Sequence, residues 1–165
     1  MENKTYIVHD RPAVMESRQH IAMVDLEPFG FLNQFEQIWL GYRSDGLFEL
    51  HCIPFRIYGA SLFDIVRIDD SDFLVEVVRR SSHRALRALI APNLADLQSV
   101  RERIVSDASD SGLLLEWSGD RHIAIDVPEG RTPEHLLNYF AMERASNRIF
   151  WEWSDVKPFK RNERP

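Results

Sequence analysis

The chain has 165 residues, 44% of them hydrophobic and 28% charged, enough for one full core or for two small subdomains sharing an interface. A net charge of −6 argues against a general binder of nucleic acid, and the single cysteine, Cys52, excludes an intrachain disulfide. No apolar run approaches the roughly 20 residues that span a bilayer. The start Met1-Glu2-Asn3-Lys4 has neither the basic nor the apolar region of a secretory signal, so a cytoplasmic protein with Cys52 as a small buried hydrophobe is expected.

Residues 1–34 show little sustained periodicity and read as an N-terminal arm that can hold short edge strands around Tyr6-Ile7-Val8 and Ile21-Ala22-Met23-Val24. From residue 35 the pattern turns to strands. Two apolar runs, 37–43 and 47–53, flank Ser44-Asp45-Gly46, and Asp-Gly between such runs is a strong hairpin signal. Pro54 and Gly59 then bend the chain inside the aromatic run Ile53-Pro54-Phe55-Arg56-Ile57-Tyr58-Gly59, which restarts as a strand over 64–68. A turn at Asp69-Asp70-Ser71-Asp72 leads into a strand over 73–78.

A second pattern begins at Arg84. Residues 86–90 read as a strand, and Pro92-Asn93 opens a helix with Asn93 as its cap and Leu94, Leu97, Val100, Ile104 and Val105 on one face, stopped by Gly112. A hairpin follows over 113–127, with Ile123, Ile125 and Val127 alternating inward. Thr132-Pro133 opens a helix whose buried stripe is Leu136, Leu137, Phe140 and Ala141, and 149–153 closes as a strand. The expected fold is therefore α+β: a small bent antiparallel β-sheet or partial barrel over 35–83, then a ferredoxin-like β-α-β-β-α-β unit over 84–155. Residues 156–165 form a basic C-terminal tail, whereas 21–156 carry 22 acidic against 13 basic side chains.

Few residues offer chemistry. Asp70-Ser71-Asp72 resembles the start of a calcium loop, but Val75 and Ser81 stand where the loop needs glycine and glutamate, which leaves an acidic turn. Six histidines are present without zinc-ligand spacing, and His122 and Asp126 only share an exposed strand face. No glycine-rich phosphate loop can be assembled, and neither a metal nor another cofactor is implied. Trp151 and Trp153 share a strand face that can stack on a ligand, though core packing is the plainer role. The polar turn Ser81-Ser82-His83-Arg84 is the most suggestive cluster: a hydroxyl beside an imidazole can in principle pair as nucleophile and base with Asp64 orienting it, but with no glycine-flanked nucleophile elbow an exposed turn or contact loop is the plainer reading.

The run Leu47-Phe48-Glu49-Leu50-His51-Cys52-Ile53-Pro54-Phe55, followed by Tyr58-Gly59 and Asp64-Ile65-Val66, resembles an uncharacterised bacterial family catalogued as a domain of unknown function. Ser81-Ser82-His83-Arg84-Ala85-Leu86-Arg87 and His122-Ile123-Ala124-Ile125-Asp126-Val127-Pro128 are similar to further family elements, so the likeness covers roughly residues 35–145. Phe63 departs from it, standing where the family usually has glycine, and the turn there is expected to differ. The resemblance implies the fold and no activity, and it makes Ser82, His83 and Arg87 the candidate functional turn.

Missing catalytic motifs and an acidic body point to a non-enzymatic protein-binding module, most concretely an immunity-type inhibitor that neutralises a basic bacterial toxin. Asp69, Asp70, Asp72, Asp107 and Asp110 are the expected contacts for that partner, and no membrane contact is expected. The alternative is a ligand-sensing or regulatory domain that binds a small molecule in the cleft between the subdomains.

Overall fold

A computed structural model describes residues 3–161. The described residues form an α+β fold, with two α-helices and two sheets. The first sheet contains β1 (Thr5–Ile7), β2 (Gln19–Asp25), β3 (Gln34–Tyr42), β4 (Phe48–Leu50), β5 (Ile65–Ile68) and β6 (Leu74–Arg79). Its hub is β3, which pairs antiparallel with β2 from Gln19↔Gly41 to Asp25↔Phe35. The other edge of β3 is shared by β1, parallel to it at Thr5↔Gln34, and by β4, antiparallel at Leu40↔Leu50. From β4 the sheet continues through β5 to β6, with register shifts in the last pair that sharpen its bend. The curl brings β6 round to β2, where Met23 bridges Phe73 and its N–H donates to Asp72 O at 2.8 Å. The first 34 residues thus supply more than an arm: β2 pairs along its whole length and carries Ala22 and Val24 into the core.

The second sheet contains β7 (Arg84–Ile90), β8 (Leu115–Ser118), β9 (His122–Val127) and β10 (Ile149–Trp153), in the order β10-β7-β9-β8 with every neighbouring pair antiparallel. The helices α1 (Leu97–Asp110) and α2 (Glu134–Ala145) connect β7 to β8 and β9 to β10. Strand alternation sends Leu86, Ala88, Ile90, Ile123, Ile125 and Val127 into one core with Val100, Ile104, Leu136 and Phe140 of the helices. Ala85 and Ala124, on the opposite face, belong instead to the core of the first sheet. That face is a contact between the halves, so the exposed face expected for His122 and Asp126 is corrected: Asp126 is buried and His122 half-buried.

Both helices begin later than their sequence signals suggest. Asn93 lies in the left-handed region at φ 63° and caps nothing; α1 starts after Asp96, and Val105 faces solvent. In α2 the residue before the helix is Pro133, and Tyr139 takes the buried place expected of Ala141. The C-terminal segment departs most. Rather than a free tail, residues 156–161 cross back from β10 and run beside β6, with Val77 N–H donating to Phe159 O at 2.9 Å and Arg161 N–H to Val75 O at 2.9 Å. Phe159 is buried in the first core. Gly59 permits this crossing: it sits at φ 79°, and a Cβ there would stand 2.8 Å from Phe159 N. Residues 162–165 of the expected tail lie outside the described residues.

Candidate functional site

The aromatic run after β4 forms no strand. It is a buried loop, with Cys52, Ile53, Phe55, Ile57 and Ala60 all inside. A buried loop must satisfy its backbone N–H groups without water. Two carboxylates do this here. Glu36 occupies an inward position on β3 in line with Ile38 and Leu40, and accepts Phe55 N–H at 2.7 Å and Arg56 N–H at 2.8 Å. Glu116 reaches across from β8 in the other half and accepts Ile53 N–H at 2.8 Å and Ala13 N–H at 2.7 Å.

His9 lies between the two carboxylates, donating from Nδ1 to Glu116 and from Nε2 to Glu36 at 3.1 Å, with its ring stacked on Phe55 at 4.3 Å. Burial by itself pulls the His9 pKa down, but Cys52, Glu116 and Glu36 together hold it well above its ordinary value. Burial likewise pushes Glu36 up, and the hydrogen bond and charge of His9 outweigh it and bring Glu36 below the usual carboxylate range. The arrangement is a buried carboxylate–imidazolium–carboxylate bridge between the halves. Its side chains are closed to solvent, so its work is to hold the loop and the two sheets together.

The expected functional turn divides among separate tasks. Ser82 is exposed at φ 69°. His83 pairs through Nδ1 with Asp126 on β9 at 2.8 Å, its ring edge against Phe63. Asp64, proposed to orient a catalytic pair, instead accepts the N–H groups of Ser81 at 2.7 Å and Ser61 at 2.8 Å, while Ser81 Oγ donates to Leu62 O. Among the described residues these groups form no nucleophile–base–Asp64 relay: His83 is turned to Asp126, and Asp64 to the backbone N–H groups of Ser61 and Ser81. Phe63 itself lies at φ 66°, the left-handed region that favours glycine. Arg87 is buried and donates to Ile57 O at 2.9 Å and Glu152 at 2.7 Å, its guanidinium 4.3 Å from the Tyr58 ring centre.

The acidic residues are similarly distributed. Asp69 accepts Phe73 and Ser71 N–H and pairs with Arg161, contacts that draw its pKa down. Asp72 pairs with His20 at 2.7 Å, and Asp107 with Arg103 at 2.8 Å. Asp70 and Asp110 remain exposed, one on the β5–β6 turn and the other at the end of α1 in the other half. Trp151 and Trp153 pack against the helical core, and the Trp153 ring also carries the Arg84 guanidinium at 3.9 Å. Among the described residues no group of three or more His, Cys, Asp or Glu side chains is arranged to hold a metal ion, and no helix is long and apolar enough to cross a membrane.

Where the buried bridge ends, the two halves part and leave a cleft of ≈ 550 Å³. Phe31, Gln34, Phe55 and Arg56 line it from the first half. From the second come Arg87, Leu89, His122, Ser118, Phe150 and Glu152, together with Asp120 and Arg121 of the β8–β9 turn. Pairing of Phe150 with Leu89, Leu89 with His122 and His122 with Ser118 makes one row across all four strands. That row lies beyond the Glu152–Arg87–Ala124–Glu116 row that meets the first half, which is why Leu89 and Phe150 are exposed. Burial first, then the positive charges of Arg87 and Arg56, lowers the His122 pKa to about 4, so its imidazole is neutral at pH 7. Sequence reading missed Arg56, Arg121 and His122 as a group, because they come from separate loops and strands with no common spacing.

The profile of the family described as domain of unknown function DUF4265 matches residues 36–153. The chain belongs to this family. The DUF4265 match takes in Glu36 and Glu116, most of the cleft lining and the His83–Asp126 pair, and leaves out His9 and the C-terminal crossing. Among solved structures, a hypothetical protein from Neisseria gonorrhoeae is similar, with 16% identity over 87% of this chain and 99% of that one and a TM-score of 0.62. At that identity the likeness concerns the fold alone. No curated protein matches the chain.

Proposed function

We propose that this DUF4265 protein is a ligand-sensing or regulatory module whose ligand binds in the cleft between the two halves. The observation that carries the reading is the cleft itself. Its volume falls in the range of small-molecule sites, and it combines aromatic walls with a few charged groups drawn from both halves. We read the second half as a ferredoxin-like unit, a reading supported by its element order and by the strand order β10-β7-β9-β8. In that frame one sheet face packs on helices, and the other is free to meet the first half and the ligand.

A thermal-shift screen of nucleotides, amino acids and aromatic acids tests the proposal. A compound at about 100 times its Kd stabilises the native state by about 2.7 kcal/mol, a rise of several degrees for a chain of this size. Ser118→Trp, which fills the cleft from a half-buried position, should abolish the rise. A rise that survives Ser118→Trp would place binding elsewhere.

The reading as an acidic immunity-type inhibitor draws on the net charge and on Asp70 and Asp110. Internal pairing of Asp69, Asp72 and Asp107 leaves a basic partner little concentrated charge on either loop, so the cleft is the stronger basis.

A further inference from the structure

We propose that the cleft takes a small planar aromatic anion, its ring held against the phenylalanine walls and its phosphate or carboxylate read by Arg56 and Arg121. This rests on the cleft being the binding site. The two arginines stand on opposite lips, Arg56 following the buried loop and Arg121 opening β9. Each is positioned by a neutral oxygen: Arg56 Nη1 donates to the Gln34 side chain, and Arg121 Nη1 donates to Ile90 O at 2.8 Å. Among the described residues neither has a carboxylate partner, in a chain where acidic side chains outnumber basic ones 26 to 20. Each guanidinium keeps donors that can close on an oxyanion, the geometry for which arginine is suited.

The other charges of the lining do not cancel this pair. Glu152 is occupied by Arg87 and by the Tyr58 hydroxyl, and Asp120 is the other carboxylate among the described lining residues. Arg87, at the back, is 2% exposed, and its Nε has no hydrogen-bond partner among the described residues. Burial is the main cause of the depressed His122 pKa; the positive charges of Arg87 and then Arg56 add to it, and Glu36 and Glu152 partly offset them. For the ring, Phe31, Phe55 and Phe150 border the same space, and the Phe31 ring also carries the Arg56 guanidinium at 5.2 Å. A flat ring carrying an anion satisfies both features at once, whereas a neutral aromatic leaves the arginines unused and a bare inorganic anion leaves the walls uncovered.

Isothermal titration of the full chain tests this, using adenosine 5′-monophosphate and indole-3-carboxylate against their neutral or ring-free counterparts adenosine, indole and inorganic phosphate. We expect at least one of the two aromatic anions to bind at least tenfold more tightly than each counterpart. The better of them identifies a nucleotide or an aromatic acid as the source of the anion. Arg56→Gln and Arg121→Gln should each weaken that binding at least tenfold while leaving the melting temperature and circular dichroism near those of the parent. If adenosine or indole binds as tightly as its anion, or if the arginine variants bind normally, the charge reading fails while the cleft remains the site. Binding unchanged in Ser118→Trp overturns the cleft reading as well. Absence of binding by both anions, alongside stabilisation by other compounds that Ser118→Trp abolishes, overturns the aromatic-anion assignment alone.

Discussion

Glu36 stands where the alternation of β3 calls for an apolar side chain, and a carboxylate is tolerated there because four backbone N–H groups and an imidazolium converge on it and Glu116. Breaking a buried pair leaves its partner charge unsatisfied, at a cost of about 3–5 kcal/mol. Glu36→Ala and His9→Ala should each lose about that much in urea denaturation. A loss under about 1 kcal/mol would show that the bridge is not a fastening. The linkage has a definite sign. Glu36 has its pKa lowered on folding, so its contribution holds above its ordinary value and fades as pH falls through the folded one. His9 has its pKa raised, so its contribution holds below its ordinary value and fades as pH rises through the folded one. His122 behaves oppositely: buried neutral, it costs stability as pH drops from about 6.5 to about 4, about 3 kcal/mol in all. His122→Asn should flatten that stretch of the pH profile, and His9→Gln should remove the decline on the rising-pH side. None of this was legible in the sequence. His9 sits in a stretch without periodicity, and Glu36 lies just outside the apolar run that marked its strand.

The regular elements were far more legible, because each carries a period of its own. The β9 and β10 strands match the alternation read over 122–127 and 149–153, and both helices occur near their expected places. The errors fall at the ends, where Asn93 and Thr132 looked like caps but the chain delays its first turn. The C-terminal crossing was illegible for a different reason: Phe159 is a single apolar residue among basic ones, and only the first core explains its burial. Removing that ring should cost about 3 kcal/mol. Phe159→Ala is therefore expected to lower the urea midpoint strongly, and Gly59→Ala to cost more than about 1 kcal/mol through strain and the approach of Phe159 N. Equal stability of both variants and the parent would mean that the crossing segment contributes nothing to holding β6.

The whole molecule depends on a sheet with two committed faces. Sequence patterning identified the helix-facing side of the second sheet, but it assigned His122 and Asp126 on the other side to solvent; the same face carries Arg87 and Glu116. Those side chains are the joint between the halves and the floor of the cleft. One consequence is cooperativity. With His9 and Glu36 in the first half and Glu116 in the second, the chain should unfold in a single transition by fluorescence and circular dichroism alike, and an isolated 84–155 fragment should fail to fold. Two separated transitions would contradict a shared buried bridge. The other consequence is that the halves, fixed behind the cleft, present aromatic walls and arginines to solvent in a preset geometry. The most direct measurement is a crystallographic soak of the full chain with nucleoside monophosphates and aromatic carboxylates. A ligand is expected between the halves, its ring against Phe31 or Phe150 and its anion on Arg56 or Arg121; a cleft left empty across the set, or density confined to the acidic turns, would overturn the cleft as the binding site.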